Sequence, residues 1–228
     1  MPTQDSVPLI DIVIPTMWRP SGVARAIATY ASCKGIASVV VIDNDPAKRQ
    51  IIPPEAMLKT RIISHGKNIY VNPAWNEGVS LCRSKIVCLA NDDVLIDPAL
   101  FSFIQSLEWE RLCIDLIGLG TSAVSSTTEL TRISVNLSQP LGVQYPGFGA
   151  CMFLRREAYQ QIPASLSVWF GDDYLVHMNK GIFLLATPYV KGEMSATIKS
   201  FDISSEVHQL IRADTKWAHE NLLERRLS

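Results

Sequence analysis

Two acidic pairs are the residues of this chain most able to do chemistry. Asp92-Asp93 closes a short apolar run, Ile86-Val87-Cys88-Leu89-Ala90, and Asp172-Asp173 follows Trp169-Phe170-Gly171 far downstream. A buried strand ending in adjacent carboxylates presents hard oxygen ligands at a sheet edge, where a divalent cation and a diphosphate can sit. A carboxylate pair beside aromatic rings is a candidate general base for a hydroxyl held on the apolar face of a sugar. If the fold joins the pairs, the chain is a metal-assisted transferase; if it does not, each is an ordinary turn or helix cap. At a helix start the macrodipole favours the ionised carboxylate, which counts against strong basicity at Asp172 and Asp173. His177, one helical turn after Asp173, either orients that carboxylate or is a surface histidine.

Other polar residues stand at similar places. Asp43 and Asn44 end the run Ser38-Val39-Val40-Val41-Ile42; they form either a nucleotide-binding edge or an Asx-turn before Pro46. Thr16 follows a third such run. Asn76 lies inside an apolar helical pattern, where Asn is a poor helix former, and reaches either a backbone group or a ligand. Arg155-Arg156 reads as a solvated helix start, and Lys191 and Lys199 could clamp a diphosphate. His65, His208 and His219 have no paired spacing, so a zinc site is not expected. The chain has neither GxSxG nor GxxxxGK[ST].

The elements that must position these groups follow from periodicity. Leu9 to Pro15, Ser38 to Asp43, Arg61 to Ser64 and Lys85 to Ala90 are short β-branched or apolar runs that predict buried strands. Between them, Ser21 is expected to cap a helix to about Cys33, Pro73 to open one to about Arg83, and Asp97-Pro98 to start one through Leu107. This β-α-β-β-α-β-α order predicts a largely parallel sheet covered on both faces, with ligands beyond the carboxyl ends of the strands. Thr16, Asp43 and Asp92-Asp93 share that position. The second half is less regular. Strands are expected over 114–119, 130–135, 147–154 and 182–186, with loops over 121–128 and 194–202. Helices are expected from Arg155, from Asp172 to about Asn179, and over 204–226. No repeat or low-complexity linker divides the chain, so residues 1–228 are expected to form one domain. Its nucleotide-binding half would be about 1–110, and its acceptor half, with the C-terminal helix, about 111–228.

Composition narrows the classes. The chain has 228 residues, 47% of them hydrophobic, with a mean hydropathy of +0.14 and a net charge of −1. A large core is available, and no global field favours nucleic acid or acidic membranes. The five cysteines form no CxxC and lie mostly in apolar stretches, which suggests reduced thiols and a cytoplasmic location. The N-terminus lacks the pattern of a secretory signal, and no apolar run approaches the ~20 residues of a membrane span.

Taken together, the motifs resemble family 2 glycosyltransferases of the GT-A fold, from about Asp11 to about Pro188. IVIPTMWRP is similar to that family's opening strand and loop, VIDND to its second-strand end, and NPAWNEG to its helix bearing an Asn. IVCLANDDV is similar to its DxD-type signature, GFGACMFLRREAY to the strand before its acceptor region, and WFGDDYLV to its acidic base element. The resemblance implies a Rossmann-like α/β fold: a mostly parallel central sheet flanked by helices, with a smaller mixed-sheet acceptor half. It implies transfer of a hexose or pentose from a nucleoside-diphosphate sugar to an acceptor hydroxyl, with inversion. Pro15, Thr16, Arg19, Asp43, Asn44, Asn76 and Asp92 would bind the nucleotide. Asp93 would hold Mn²⁺ or Mg²⁺, and Asp173, with Asp172, would be the base. The first DxD position is Asn91, and Leu175 stands where a later acid often occurs in the family. The acceptor is open: a glycan, a protein, a small molecule or a modified nucleic-acid base. The last would need a basic surface, for which Arg155, Arg156, Arg225 and Arg226 are candidates. A nucleotidyltransferase and a non-catalytic nucleotide- or sugar-binding module are the competing readings.

Overall fold

A computed structural model describes residues 7–120, 134–137, 147–186, 190–192 and 206–223. Ten strands are present among them: β1 (Ile10–Thr16), β2 (Ile36–Asp43), β3 (Thr60–Ser64), β4 (Ile86–Ala90), β5 (Val94–Ile96), β6 (Leu116–Leu119), β7 (Ser134–Leu137), β8 (Cys151–Arg155), β9 (Ile182–Ala186) and β10 (Val190–Gly192). The α-helices are α1 (Val23–Ser32), α2 (Pro54–Met57), α3 (Val71–Leu81), α4 (Pro98–Ser106), α5 (Gly171–Met178) and α6 (Glu206–Ala218). A π-helical turn, His219–Leu223, continues α6.

Eight strands form one sheet in the order β3-β2-β1-β4-β8-β6-β9-β7. The first four are mutually parallel. β8 runs against β4 and β6, β6 and β9 are parallel, and β7 is antiparallel to β9. The expected mostly parallel sheet flanked by helices is therefore present, and it runs unbroken through both expected halves of the chain.

The side chains of β1 alternate across the sheet. Ile12 and Ile14 pack with Val23, Ile27 and Tyr30 of α1 and Leu100, Phe101 and Ile104 of α4. Val13 packs with Ala74, Trp75 and Val79 of α3 and Leu175 and Val176 of α5. Helices cover both faces, which is why the central strands read as near-continuous apolar runs, broken by Asp11 and Ser38, which bond each other. Helix α3 lies close to the sheet because Gly78 has no Cβ; one placed there would stand 2.2 Å from a Val13 methyl.

Several expectations change in detail. Ser21 does not cap α1. Gly22 occupies the cap position without a side-chain bond, and the Gln50 side chain accepts from the Ala24 N–H at 3.0 Å. Asp97 does cap α4, accepting from Ala99 N–H at 2.8 Å. Residues 147–150 form a turn instead of the start of a strand, and β8 begins at Cys151. The expected short helix is a single 3₁₀ turn, Arg156–Ala158, with Arg156 exposed; Arg155, at the end of β8, is not merely solvated, its guanidinium reaching Asp115 at 2.5 Å and Glu157 at 2.8 Å. The short strands β5 and β10 and the one-turn helix α2 were not legible in the periodicity. The expected loops over 121–128 and 194–202, Lys199, Arg225 and Arg226 lie outside the described residues. All five cysteines are free thiols, and among the described residues no helix is long and apolar enough to cross a membrane.

Candidate functional site

The carboxyl ends of β1, β2 and β4 lie side by side, because these strands are parallel neighbours in register. Thr16, Asp43 and Asn91-Asp92-Asp93 therefore share one rim. The side chains of Thr16 and Asp92 are tied directly, and Asp43 joins them through Trp18. The Thr16 hydroxyl donates to Asp92 Oδ2 at 2.7 Å, and the Met17 N–H reaches the same oxygen at 3.3 Å. The Trp18 N–H donates back to the Thr16 hydroxyl oxygen at 2.8 Å. Burial pushes the Asp92 carboxyl above its ordinary range. The Thr16 hydroxyl, the Met17 amide and the positive charge of Arg19 act in the opposite direction without overcoming it.

Asp43 is 1% exposed and fully engaged. Its Oδ1 accepts from the Trp18 indole N–H at 2.8 Å and the Asp45 N–H at 3.2 Å. Its Oδ2 takes the Arg49 guanidinium, with Nε at 2.7 Å and Nη2 at 2.5 Å. Trp18 has a left-handed backbone, φ 58°, which its main-chain bond to Thr16 and indole bond to Asp43 hold in place. Gln50 completes this loop by donating to the carbonyls of Trp18 and Pro20 at 3.1 and 2.7 Å. The Asn44 amide oxygen accepts from the Ile69 N–H at 2.9 Å, and the Asn44 N–H donates to the Thr16 carbonyl at 2.8 Å. Asn44 thus locks the ends of β1 and β2 to the segment entering α3.

Strand β5 follows Asp93 immediately and pairs antiparallel with β10, so Gly192 stands opposite Val94 and Lys191 opposite Leu95. The buried Tyr30 hydroxyl holds this strand from beneath, accepting from the Ile96 N–H at 2.9 Å and donating to the Val94 carbonyl at 3.3 Å.

One turn links the two acidic pairs. Because β8 enters the sheet where β4 leaves it, Ala90 faces Cys151, and the Asn91 N–H donates to the Ala150 carbonyl at 3.0 Å. The adjacent Gly149 N–H donates to Asp172 Oδ2 at 3.1 Å. A Cβ at Gly149 would lie 2.6 Å from that oxygen, so only glycine admits the carboxylate this closely. Asp172 and Asp173 occupy the first turn of α5 as anticipated. The anticipated dipole effect does not prevail at Asp172. Burial raises its carboxyl, and the amides of Asp173, Asp172 and Gly149 offset this only in part.

The segment before α5 is held from outside. Phe170 takes a left-handed conformation, φ 60°, and the Trp169 ring, 40% exposed, meets the Phe170 ring edge-on at 6.2 Å. The Asn72 amide donates to the Trp169 carbonyl at 3.0 Å. From α6, the Asp214 carboxylate accepts from the N–H groups of Ser167, Val168 and Trp169 at 2.9, 2.7 and 2.9 Å. Asn76 is structurally committed. It donates to the Ile162 carbonyl at 2.9 Å and accepts from the Tyr159 hydroxyl at 2.7 Å and the Ile162 N–H at 2.9 Å.

Sequence reasoning therefore found the rim residues and missed those that hold them: Tyr30, Arg49, Gln50 and Asp214. The only available signal for Asp214 was an acid within an otherwise amphipathic helix. The described residues contain no cluster of three or more His, Cys, Asp or Glu able to hold a metal. The rim donors are hard oxygens, and Asp92 is occupied by Thr16 and Met17. This set suits Mg²⁺ or Mn²⁺ shared between one or two carboxylates and a diphosphate, the usual way Mg²⁺ binds beside a nucleotide.

Known proteins match this geometry at the level of fold. The crystal structure of S. aureus TarS 1–349 in complex with UDP-GlcNAc superposes with a TM-score of 0.61 at 11% identity, covering 96% of this chain and 69% of that one. A second crystal structure of S. aureus TarS 1–349 gives 0.55 at 10% identity, covering 94% and 72%. The shared fold is the GT-A type of α/β architecture. No protein-family model matches the chain, and no curated protein matches it.

Proposed function

We propose that this protein is a glycosyltransferase that moves a sugar, a hexose or pentose, from a nucleoside diphosphate to an acceptor hydroxyl with inversion. The observation that carries this reading is that the 147–150 turn meets both the N–H of Asn91, the residue before Asp92-Asp93, and the carboxylate of Asp172, at the carboxyl ends of parallel strands. The fold shared with a protein crystallised with UDP-GlcNAc supports it.

The nucleotide would lie along Pro15, Thr16, Arg19 and Asn44. Asp43 and Asp92 act there by holding the 16–20 loop, and Asn76 by fixing the 159–162 segment beneath the site. Asp93 would hold the divalent ion together with the diphosphate, and an ion so bound neutralises charge on the departing group. Asp173 takes the proton from the acceptor hydroxyl as that oxygen attacks the anomeric carbon. Asp172, made more basic by burial, stands beside it at the start of α5. The exposed Trp169 ring offers an apolar surface for an acceptor sugar.

The test is release of UDP from UDP-GlcNAc in the presence of Mn²⁺, with a thermal-shift screen across nucleotide sugars. A shift requiring both metal and nucleotide, and loss of turnover in Asp93→Ala and Asp173→Ala, is the expected result. Full activity in both variants would overturn the reading. Pyrophosphate as the product would identify a nucleotidyltransferase instead.

A further inference from the structure

We propose that Asp214 is a positioning residue for the acceptor side of the site, so that the C-terminal helix α6 sets the geometry from which Asp172 and Asp173 project. Its catalytic consequence rests on the glycosyltransferase reading; its structural core does not.

The argument starts from three consecutive backbone N–H groups. Residues 167–169 belong to no helix or strand, so their amides lack the partners that regular structure supplies. Ser167 and Val168 are half-buried, and amides withdrawn from water need such partners. Both oxygens of one carboxylate meet them: Oδ1 takes Ser167, and Oδ2 takes Val168 and Trp169. Asp214 is itself 1% exposed. Isolated burial of a carboxylate is strongly unfavourable, and charge-assisted bonds from several amides are what make it tolerable. The chain is thereby wrapped around a fixed anion directly before the left-handed Phe170 and the first turn of α5.

The opposite side of the segment is tied to α3. The Asn72 N–H donates to the Ser167 carbonyl at 3.1 Å, and the Asn72 side chain donates to the Trp169 carbonyl. The segment's amides thus point to α6 and two of its carbonyls to α3. Trp217, three positions after Asp214 and on the same helix face, packs on Tyr174 of α5 with ring centroids 6.3 Å apart. Helix α6 therefore grips the bend before α5 and α5 itself. With both held, the Asp172 carboxylate meets the Gly149 amide, and the two acidic pairs stay in register. Loosening the bend would leave the nucleotide rim intact and misplace the acceptor-side carboxylates, and small misplacements of reacting groups are costly.

The decisive variant is Asp214→Asn. It keeps the side-chain size but replaces one acceptor oxygen with a donor, so at least one of the three amides loses its partner. Amide hydrogen exchange and UDP release from UDP-GlcNAc are then measured on the full chain. The expected outcome is exchange at 167–169 at least tenfold faster, with β2 unchanged, and kcat at least tenfold lower, with the KM for UDP-GlcNAc within twofold. Unchanged exchange at 167–169 overturns the proposal. So does exchange accelerated equally across the chain, or a kcat that does not fall in an active enzyme, since either marks a merely structural carboxylate. If the variant does not fold, the wild-type protein decides: slow exchange at 167–169 supports the clamp, and exchange as fast as an open loop refutes it. A wild type inactive on UDP-GlcNAc counts against the functional reading and leaves the exchange measurement to judge the clamp.

Discussion

Two buried aspartates hold the two loops at the rim of this sheet, and they do so by different means. Asp43 ends a strand and secures the 16–20 loop through the Trp18 indole, with Arg49, six residues on, as its counter-charge. Asp214 comes from a distant helix and secures residues 167–169 through backbone amides. The 16–20 loop is thus braced locally, by residues close in sequence to the strand ends. Residues 167–169, before α5, are braced at long range, by a side chain of helix α6. Because these braces are separate, damage on one side should leave the other working.

The largest effect should come from Asp173→Asn. On the proposed mechanism it removes the base, and turnover should fall by about 10²–10⁴-fold, the usual contribution of general base catalysis. UDP binding, measured by calorimetry, should stay within twofold; a parallel loss of binding would erase the division between the two sides. Next is Asp43→Asn. It leaves Arg49 without its anion and gives the indole N–H a poorer acceptor. Arg49 is 40% exposed, so water relieves part of the loss, and the cost should be about 2 kcal/mol in denaturant unfolding. UDP binding should weaken while exchange at 167–169 stays unchanged. Thr16→Val removes the bond to Asp92 and should cost about 1 kcal/mol, with a raised KM for the donor and little change in kcat.

The smallest effect concerns pH. Burial raises the Asp172 carboxyl in the folded protein. An acid raised in this way contributes stability that is complete below its unfolded value of about 3.9 and is lost as pH rises through the folded value. Asp172→Asn cannot ionise and escapes that loss. Its Tm relative to wild type should therefore be higher at pH 7 than at pH 4. A difference of the opposite sign would mean that the amides of Gly149 and α5 outweigh burial.

The parallel half was legible because its physics is local. Ile10–Thr16, Ile36–Asp43 and Ile86–Ala90 are largely buried on both faces, so they read as mostly apolar runs, interrupted only by Asp11 and Ser38, with polar residues at or just after their ends. Parallel pairing then puts those ends on one rim without further information. Strands β5 and β10 escaped notice because each is three residues long, too short for periodicity to register. Gln50 as the partner of the Ala24 amide was hidden for another reason. Its acceptor reaches across sequence to a helix whose own neighbouring Ser21 suggested a local cap. Asn76 and Arg155 showed their polar character in the sequence, but not their partners.

By itself, the sequence determined the α/β alternation, the polar strand ends and the two acidic pairs, because burial and turn formation act over a few residues. Only the tertiary structure decided that Asn91, beside Asp92-Asp93, and Asp172 meet one turn, that Asp43 is occupied by Trp18 and Arg49, and that Asp214 holds the bend before α5. Those are contacts between segments far apart in the chain. Residue spacing does not encode them; they follow from how the strands and helices pack.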